Sequence, residues 1–294
     1  MNLMCPARIL LLPGDVQDAA VGERIAQVYA ATFDASAGAR LAEQLGVKLT
    51  VVPDLVRRPD VELQSIADQH RGETVVVLGV DLGLKLPAVV EHTGDGWTRV
   101  ATDNERTVAT YEEKAEAFRE SIPKEPHHQL IDLLADLVPV GARVLELGSG
   151  TGRDAAELER RGFVVRRTDA TEAFLEMMRA DGHDADRLDA LADDFGGPYD
   201  AVFADAVFLH FARTQLAAVL RKAVHAAPVL AFSTKEGAGE EWSNRFLDLP
   251  RHFVMWQEEP LRELLASAGW TVRELIRTTG PSGAHWFSVS ATRT

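Results

Sequence analysis

Apolar residues follow two rhythms along this chain. Aliphatic runs at 8–12, 48–52 and 74–78 read as buried strands. Between them, apolar positions three and four residues apart at 22–32, 36–45 and 61–70 read as helices. Residues 93–103, with Gly94, Asp95 and Gly96, read as a turn and connector and place a domain boundary near residue 104. The alternation then resumes, with a helix over 107–121, interruption at Pro123 and Pro126, a helix over 128–137 and a strand over 143–147. A helix at 154–161, a strand at 163–168, a helix at 171–179 and a short strand before Asp189 follow. Next come a strand at 199–204, a helix at 214–225, a strand at 228–233, a helix at 259–268 and two last strands at 271–277 and 285–291. Strands alternating with helices predict mainly parallel sheets. The chain therefore reads as a small α/β domain over 1–104 and a larger one over 105–294.

Composition narrows the setting. Apolar residues make up 46% and charged residues 26% of the 294 positions, a balance that supports a sizeable core without metals or disulfides. The single cysteine, Cys5, has no disulfide partner within the chain, and no Cys/His cluster has zinc spacing, so no metal is expected and a reducing cytoplasm is the simplest setting. No apolar run approaches the length of a membrane span, so no membrane partner is expected. The net charge of −14 repels phosphate backbones and argues against nucleic acid. Arg160, Arg161, Arg166 and Arg167 read as a solvated face among acids.

The strongest constellation is Val144-Leu145-Glu146-Leu147-Gly148-Ser149-Gly150-Thr151-Gly152, an apolar strand running into a glycine loop with a helix directly after it. Glycines here permit left-handed dihedrals and close approach of backbone to a ligand, and the first N–H groups of the helix face that ligand. The spacing is G-x-G-x-G. A nicotinamide or flavin fingerprint needs a glycine where this chain has Arg153, so a different nucleoside cofactor fits better. Asp169, 21 residues after Gly148, ends the next strand, where a carboxylate accepts hydrogen bonds from ribose hydroxyls.

VLELGSGTGRD followed by VVRRTDAT resembles the first two motifs of class I S-adenosylmethionine-dependent methyltransferases. Leu188-Asp189-Ala190, the stretch from Tyr199 to Asp205 with Leu209-His210 beyond it, and the stretch from Phe232 to Gly237 continue the resemblance. It covers about residue 105 to the end. It implies a Rossmann-like seven-stranded sheet with an antiparallel last strand, and S-adenosyl-L-methionine as cofactor. It also implies that Glu146, Gly148, Gly150 and Gly152 meet the methionine portion, that Asp169 binds the ribose, and that Asp189 and Ala190 lie near adenine, with Ser149, Ala170 and Asp205, at the end of the fourth strand, as further cofactor-binding residues. Tyr111 resembles a residue that closes over the cofactor; ordinary helix packing is the other reading.

Methyl transfer from a sulfonium mostly requires alignment and exclusion of water, and an amine, alcohol or phenol acceptor must also lose a proton. His210, just past a strand on the ligand edge, is the candidate base, with an ordinary pKa near 6.5 suited to neutral pH. Packing beside Phe208 and Phe211 is its alternative. Lys235 and Glu236 leave the fifth strand at the same edge, and the insert carrying Trp242 and Arg245 reads as an acceptor lid or a solvated connector. His127 and His128 read as helix-start residues, with a place facing the acceptor as the alternative.

The first domain carries a fainter resemblance, over about 7–92, to histidine phosphatases of the phosphoglycerate-mutase type, on 8–15, on Val28-Tyr29-Ala30-Ala31 and on the stretch from His70 to Gly79. Where that family has Arg-His-Gly this chain reads Pro13-Gly14-Asp15, and the place of the second histidine reads Val80. Neither glycine nor valine attacks a phosphate, so the resemblance implies an inactive pseudophosphatase that scaffolds, pairs copies into a homodimer or shapes the acceptor entrance. The expected activity is methyl transfer to O or N of a small-molecule acceptor. The alternatives are a protein or peptide methyltransferase with the first domain as docking module, and a non-catalytic cofactor-binding regulator.

Overall fold

The computed structural model describes residues 6–13, 25–80, 82, 84, 88–93, 96–280 and 283–294. The chain divides into two compact units, Met1–Thr102 and Asp103–Thr294.

The first unit contains strands β1 (Arg8–Leu12), β2 (Ile25–Ala30), β3 (Lys48–Val51), β4 (Thr74–Leu78), β5 (Ala88–Thr93) and β6 (Gly96–Val100), with helices α1 (Ala35–Leu45) and α2 (Pro59–Gln69). They form a sheet of order β3-β2-β4-β1-β5-β6, parallel from β3 to β1 and antiparallel at β5 and β6. The two-residue period of a strand divides the core. Val75 and Val77 point to the face covered by Leu63 and Ile66 of α2, whereas Val76 and Leu78 point to Ala37 and Leu41 of α1. The helix predicted over 22–32 is instead β2. Ile25, Val28 and Tyr29 mimic helical spacing, but a strand covered on both faces needs no alternation, and pairing with β3 and β4 decides the outcome. The connector predicted over 93–103 holds β6, paired with β5. The turn at Gly94 and Asp95 lies outside the described residues, as do Cys5, Gly14 and Asp15. Val80 is buried core.

The second unit has helices α3 (Asp103–Ser121), α4 (His128–Ala135), α5 (Arg153–Arg160), α6 (Glu172–Ala180), α7 (Arg213–Ala226) and α8 (Glu258–Ser267). Its strands are β7 (Arg143–Leu147), β8 (Val164–Asp169), β9 (Ala185–Arg187), β10 (Ala201–Ala204), β11 (Val229–Lys235), β12 (Glu240–Ser243), β13 (Arg251–Val254), β14 (Trp270–Thr279) and β15 (His285–Arg293). Seven of them form a sheet of order β14-β15-β11-β10-β7-β8-β9, in which β15 is antiparallel to both neighbours. Leu145, Leu147, Val202 and Ala204 face the cluster built on α7 and α8, and Val144, Ala201 and Phe203 face the one built on α4. From β7 the chain runs outward to β8 and β9, then returns to β10 on the other side of β7. The carboxyl ends of β7 and β10 therefore bracket a topological switch point, where open α/β sheets bind ligands.

The insert after β11, expected as a lid or solvated connector, forms the antiparallel hairpin β12–β13. β13 is buried throughout. Its polar backbone is satisfied from α3: the His252 N–H donates to Thr107 Oγ1 at 2.9 Å, and Thr110 Oγ1 donates to the Pro250 carbonyl at 2.8 Å.

Candidate active site

A cavity of about 600 Å³ opens at the carboxyl ends of β7, β8, β10 and β11, and every described residue lining it lies at Asn104 or beyond. Its volume is that of a small-molecule site.

One wall is backbone. Gly148, Gly150 and Gly152 have φ of 64°, 55° and 76°. A β-carbon on Gly148 would sit 2.5 Å from Val207 Cγ2, so only glycine fits there. Gly148, Ser149, Gly150 and Thr151 line the cavity. Asp169 closes this wall. Its Oδ2 accepts from the Gly150 N–H at 2.9 Å and its Oδ1 from the Thr171 N–H at 2.8 Å. Both oxygens are thereby fixed, and the Thr171 hydroxyl and the Ala170 N–H are further partners of the carboxylate. Burial raises the Asp169 pKa, opposed by those backbone bonds. Ala170, Asp189 and Ala190 also line this end, and Asp189 is held in a turn by the Leu191 N–H at 2.9 Å.

Glu146 and Gly152 were expected against the cofactor, but neither lines the cavity. Gly152 caps α5 and packs on α6, where an added β-carbon would lie 3.2 Å from Met178. Glu146 is 2% exposed behind the loop with its Oε2 unpartnered. Burial, then the charge of Asp154, pushes its pKa up to about 8, so it is a neutral acid near pH 7.

Beneath the loop lies a network that sequence reasoning missed. Asp205 Oδ1 takes a hydrogen bond from Ser233 at 2.6 Å and pairs with His127 Nδ1 at 2.7 Å, while Arg153 Nη2 reaches Asp205 Oδ2 at 3.0 Å and Asp154 Oδ2 at 2.8 Å. Asp154 also accepts the His127 N–H at 2.8 Å. Burial works against the Asp205 carboxylate, but His127, Ser233 and Arg153 together outweigh it, and its pKa is held below the ordinary value. That of His127 is raised: burial opposes its charge, and Asp205 and Asp154 together outweigh burial. The only signal in the sequence was Arg153-Asp154 at the start of a helix beside a ligand loop; nothing local named His127 as their partner.

The opposite wall is made of side chains from distant parts of the chain. His210, in the 3-10 turn Phe208–His210, donates from Nδ1 to the His252 carbonyl at 2.7 Å. Nε2 therefore carries the lone pair and accepts from the Tyr111 hydroxyl at 2.9 Å. The ordinary imidazole pKa expected from the sequence does not hold: burial, with the Arg251 charge adding to it and the bond to the His252 carbonyl opposing, lowers it to about 3. Tyr111 is half-buried against Phe118 and Phe174, its pKa raised by desolvation, and lines the cavity. Arg251, Phe253, Phe246 and Trp286 complete this wall; none was singled out for it from the sequence.

Lys235 and Arg245 line the cavity, but Glu236 and Trp242 do not. Glu236 pairs with Arg277 at 2.6 Å. Trp242 lies under the guanidinium of Arg106, 4.1 Å from the ring centre, and against His252. Glu236, one residue past β11, is taken up by Arg277, and Trp242, on β12, packs on Arg106 and His252, so neither faces the cavity as expected. Among the described residues there is no cluster able to hold a metal, and no helix is long and apolar enough to cross a membrane.

No curated protein sequence matches the chain. Solved structures share its fold. A 1,6-didemethyltoxoflavin N1-methyltransferase from Burkholderia thailandensis, with 1,6-didemethyltoxoflavin and S-adenosylhomocysteine bound, is 19% identical over 72% of this chain and 97% of its own, with a TM-score of 0.52. The CcbJ methyltransferase of Streptomyces caelestis is 18% identical over 63% of this chain and 98% of its own, with a TM-score of 0.51. The [4+2]-cyclase SpnF is 15% identical over 66% of this chain and 97% of its own, with a TM-score of 0.50. The family model described as a methyltransferase domain matches residues 118–275, more than half of the 294-residue chain. With the seven-stranded sheet and the glycine loop at its switch point, that match places the chain in the methyltransferase-domain family.

Proposed function

We propose that this protein transfers the methyl group of S-adenosyl-L-methionine to O or N of a small-molecule acceptor. The observation that carries the reading is the Asp169 carboxylate, fixed by the Gly150 and Thr171 N–H groups beside a positive-φ glycine loop on a cavity wall. The residues fit the cofactor. Asp169, on the cavity wall, is the carboxylate that would accept from the ribose hydroxyls. Asp189 and Ala190 stand where adenine would lie, and the loop from Gly148 to Thr151 leaves room for the amino-acid portion. When bound, S-adenosyl-L-methionine supplies a sulfonium methyl group that an acceptor lone pair takes by in-line displacement. The chain aligns the acceptor and excludes water, which the aromatic wall of Tyr111, Phe211, Phe253 and Trp286 is suited to do.

His210 is assigned to the acceptor side, acting with Tyr111. Protonating an imidazole of pKa about 3 at pH 7 costs roughly 5 kcal/mol. Its part is therefore to hold the phenol at Nε2 in one orientation, with the proton resting on Tyr111. The first unit is proposed to be a non-catalytic module. The size of the cavity favours a small acceptor over a protein. The cyclase of the same fold keeps a non-transferring reading in view, because fold does not fix chemistry. Labelled S-adenosyl-L-methionine incubated with a metabolite panel tests the reading. Label transferred to at least one acceptor supports it; cofactor binding with no transfer across a broad panel favours the regulator or the cyclase-like alternative.

A further inference from the structure

The acceptor wall holds a buried cation with no anion. Arg251, on β13, is 6% exposed and lines the cavity. Nη1 donates to the Tyr111 hydroxyl at 3.3 Å, Nη2 donates to the Arg245 carbonyl, and Nε has no hydrogen-bond partner. Among the described residues, no carboxylate lies within ion-pair distance of it. Its neighbours are treated differently: His252 faces Glu240 at 3.2 Å, and Lys235 faces Glu241 at 3.1 Å. Tyr111 does not neutralise the guanidinium, because burial keeps it a neutral phenol. A desolvated guanidinium with free donor capacity is costly unless something anionic completes it.

The surroundings are aromatic. The guanidinium carbon lies 5.2 Å from the centre of the Phe253 ring and 5.5 Å from that of Tyr111. Phe246, at the cavity edge, is 66% exposed with φ of 74°, an apolar ring held in a left-handed backbone conformation that only surrounding structure sustains. An exposed aromatic beside a cavity gains by covering a flat apolar ligand.

We propose that the acceptor is an aromatic molecule bearing a carboxylate, and that Arg251 is the residue that receives the carboxylate. The inference rests on the methyltransferase reading, since it takes this half of the cavity to be the acceptor half. A guanidinium presents paired N–H donors that match a carboxylate, and the surrounding rings accept the flat body. Arg251 thereby sets specificity and orientation.

The test uses the full chain saturated with S-adenosylhomocysteine and three probe pairs, each a carboxylate and its primary amide: benzoate, 2-naphthoate and indole-3-carboxylate. Binding is followed by calorimetry or ligand-observed NMR. For at least one pair the carboxylate is expected to bind about 10–100-fold more tightly than its amide, the range of a charge-assisted hydrogen bond. Arg251→Met removes the preference and Arg251→Lys keeps part of it, while affinity for S-adenosylhomocysteine stays within about twofold. No preference for any carboxylate in the unmodified protein, including no binding of any probe, overturns the proposal. So does a preference that persists in Arg251→Met, or a parallel fall in S-adenosylhomocysteine affinity, which would give the arginine to the cofactor. If Arg251→Met does not fold, by thermal melting, the pairs on the unmodified protein and on Arg251→Lys decide. A protein that binds no S-adenosylhomocysteine contradicts the methyltransferase reading itself, and the carboxylate preference is then judged on the same pairs without it.

Discussion

The two walls of the cavity are built by different physics. The loop wall is made by consecutive residues: a buried strand, three left-handed glycines, the first turn of α5 and an aspartate at the end of the adjacent strand. Its donors are backbone N–H groups, whose positions follow from the fold. The side-chain wall draws on α3, the 3-10 turn, the β12–β13 hairpin and β15, which are far apart in sequence. Its character depends on which residue types meet there. A family retains a wall of the first kind while it exchanges the second, which is how one fold serves many acceptors.

Perturbing the loop wall should have the larger effects. Asp169→Ala removes the proposed acceptor of the ribose hydroxyls and leaves the Gly150 and Thr171 N–H groups without a partner. Hydrogen bonds to a charged group are worth about 1.5–3 kcal/mol each, so affinity for S-adenosylhomocysteine should fall at least about tenfold by calorimetry. Unchanged affinity would remove the ribose assignment. Gly148→Ala forces a β-carbon to 2.5 Å from Val207 and a non-glycine residue to φ of 64°. Chemical denaturation should show a loss of about 1–3 kcal/mol; a neutral result would mean that the loop adopts another conformation.

The side-chain wall should respond in turnover before affinity. Tyr111→Phe keeps the ring packing and deletes the hydroxyl between His210 and Arg251. Turnover on an identified acceptor should fall by roughly tenfold, with cofactor affinity changed by less than about threefold. The reverse ratio would assign Tyr111 to the cofactor. The pH dependence has a defined sign. His210 has a folded pKa of about 3, below the ordinary 6.5, so below pH 6.5 the unfolded chain binds the extra proton. Its contribution is therefore present above pH 6.5 and lost as pH falls toward 3, and His210→Asn should flatten acid unfolding in that window. Glu146 runs the other way. With a folded pKa of about 8 against 4.5, it loses stability as pH rises from 4.5 to 8, and Glu146→Gln should be relatively more stable at pH 8 than at pH 5. The smallest effect is expected from removing the first unit. Every described cavity residue lies at Asn104 or beyond, so a chain starting at Asp103 that folds by circular dichroism should bind S-adenosylhomocysteine as the full chain does.

The sequence was most informative where function is local. The strand, glycine loop and Asp169 were read together because they sit within one β-loop-α-β unit with fixed spacing. His210 and Tyr111 were both named, but their hydrogen bond joins residues 99 positions apart and has no sequence signature. Trp242 and Glu236 were placed in the acceptor site because they follow the right strand; the β12–β13 hairpin puts Arg251 and not Trp242 on the cavity, and Arg277 takes up Glu236. Arg167, read as part of a solvated face, is buried against Glu159. It alternates with Arg166, and only the sheet decides which of the two points inward. Ile25–Ala30 was misread because a strand buried on both faces has no period to detect.

The most direct test of the account is a crystal structure of the full chain with S-adenosylhomocysteine. The account predicts both ribose hydroxyls within hydrogen-bonding distance of Asp169 Oδ1 and Oδ2, adenine beside Asp189 and Ala190, and the sulfur facing the side of the cavity lined by Tyr111, His210 and Arg251. A nucleoside bound elsewhere, or a homocysteine carboxylate resting on Arg251, would contradict it.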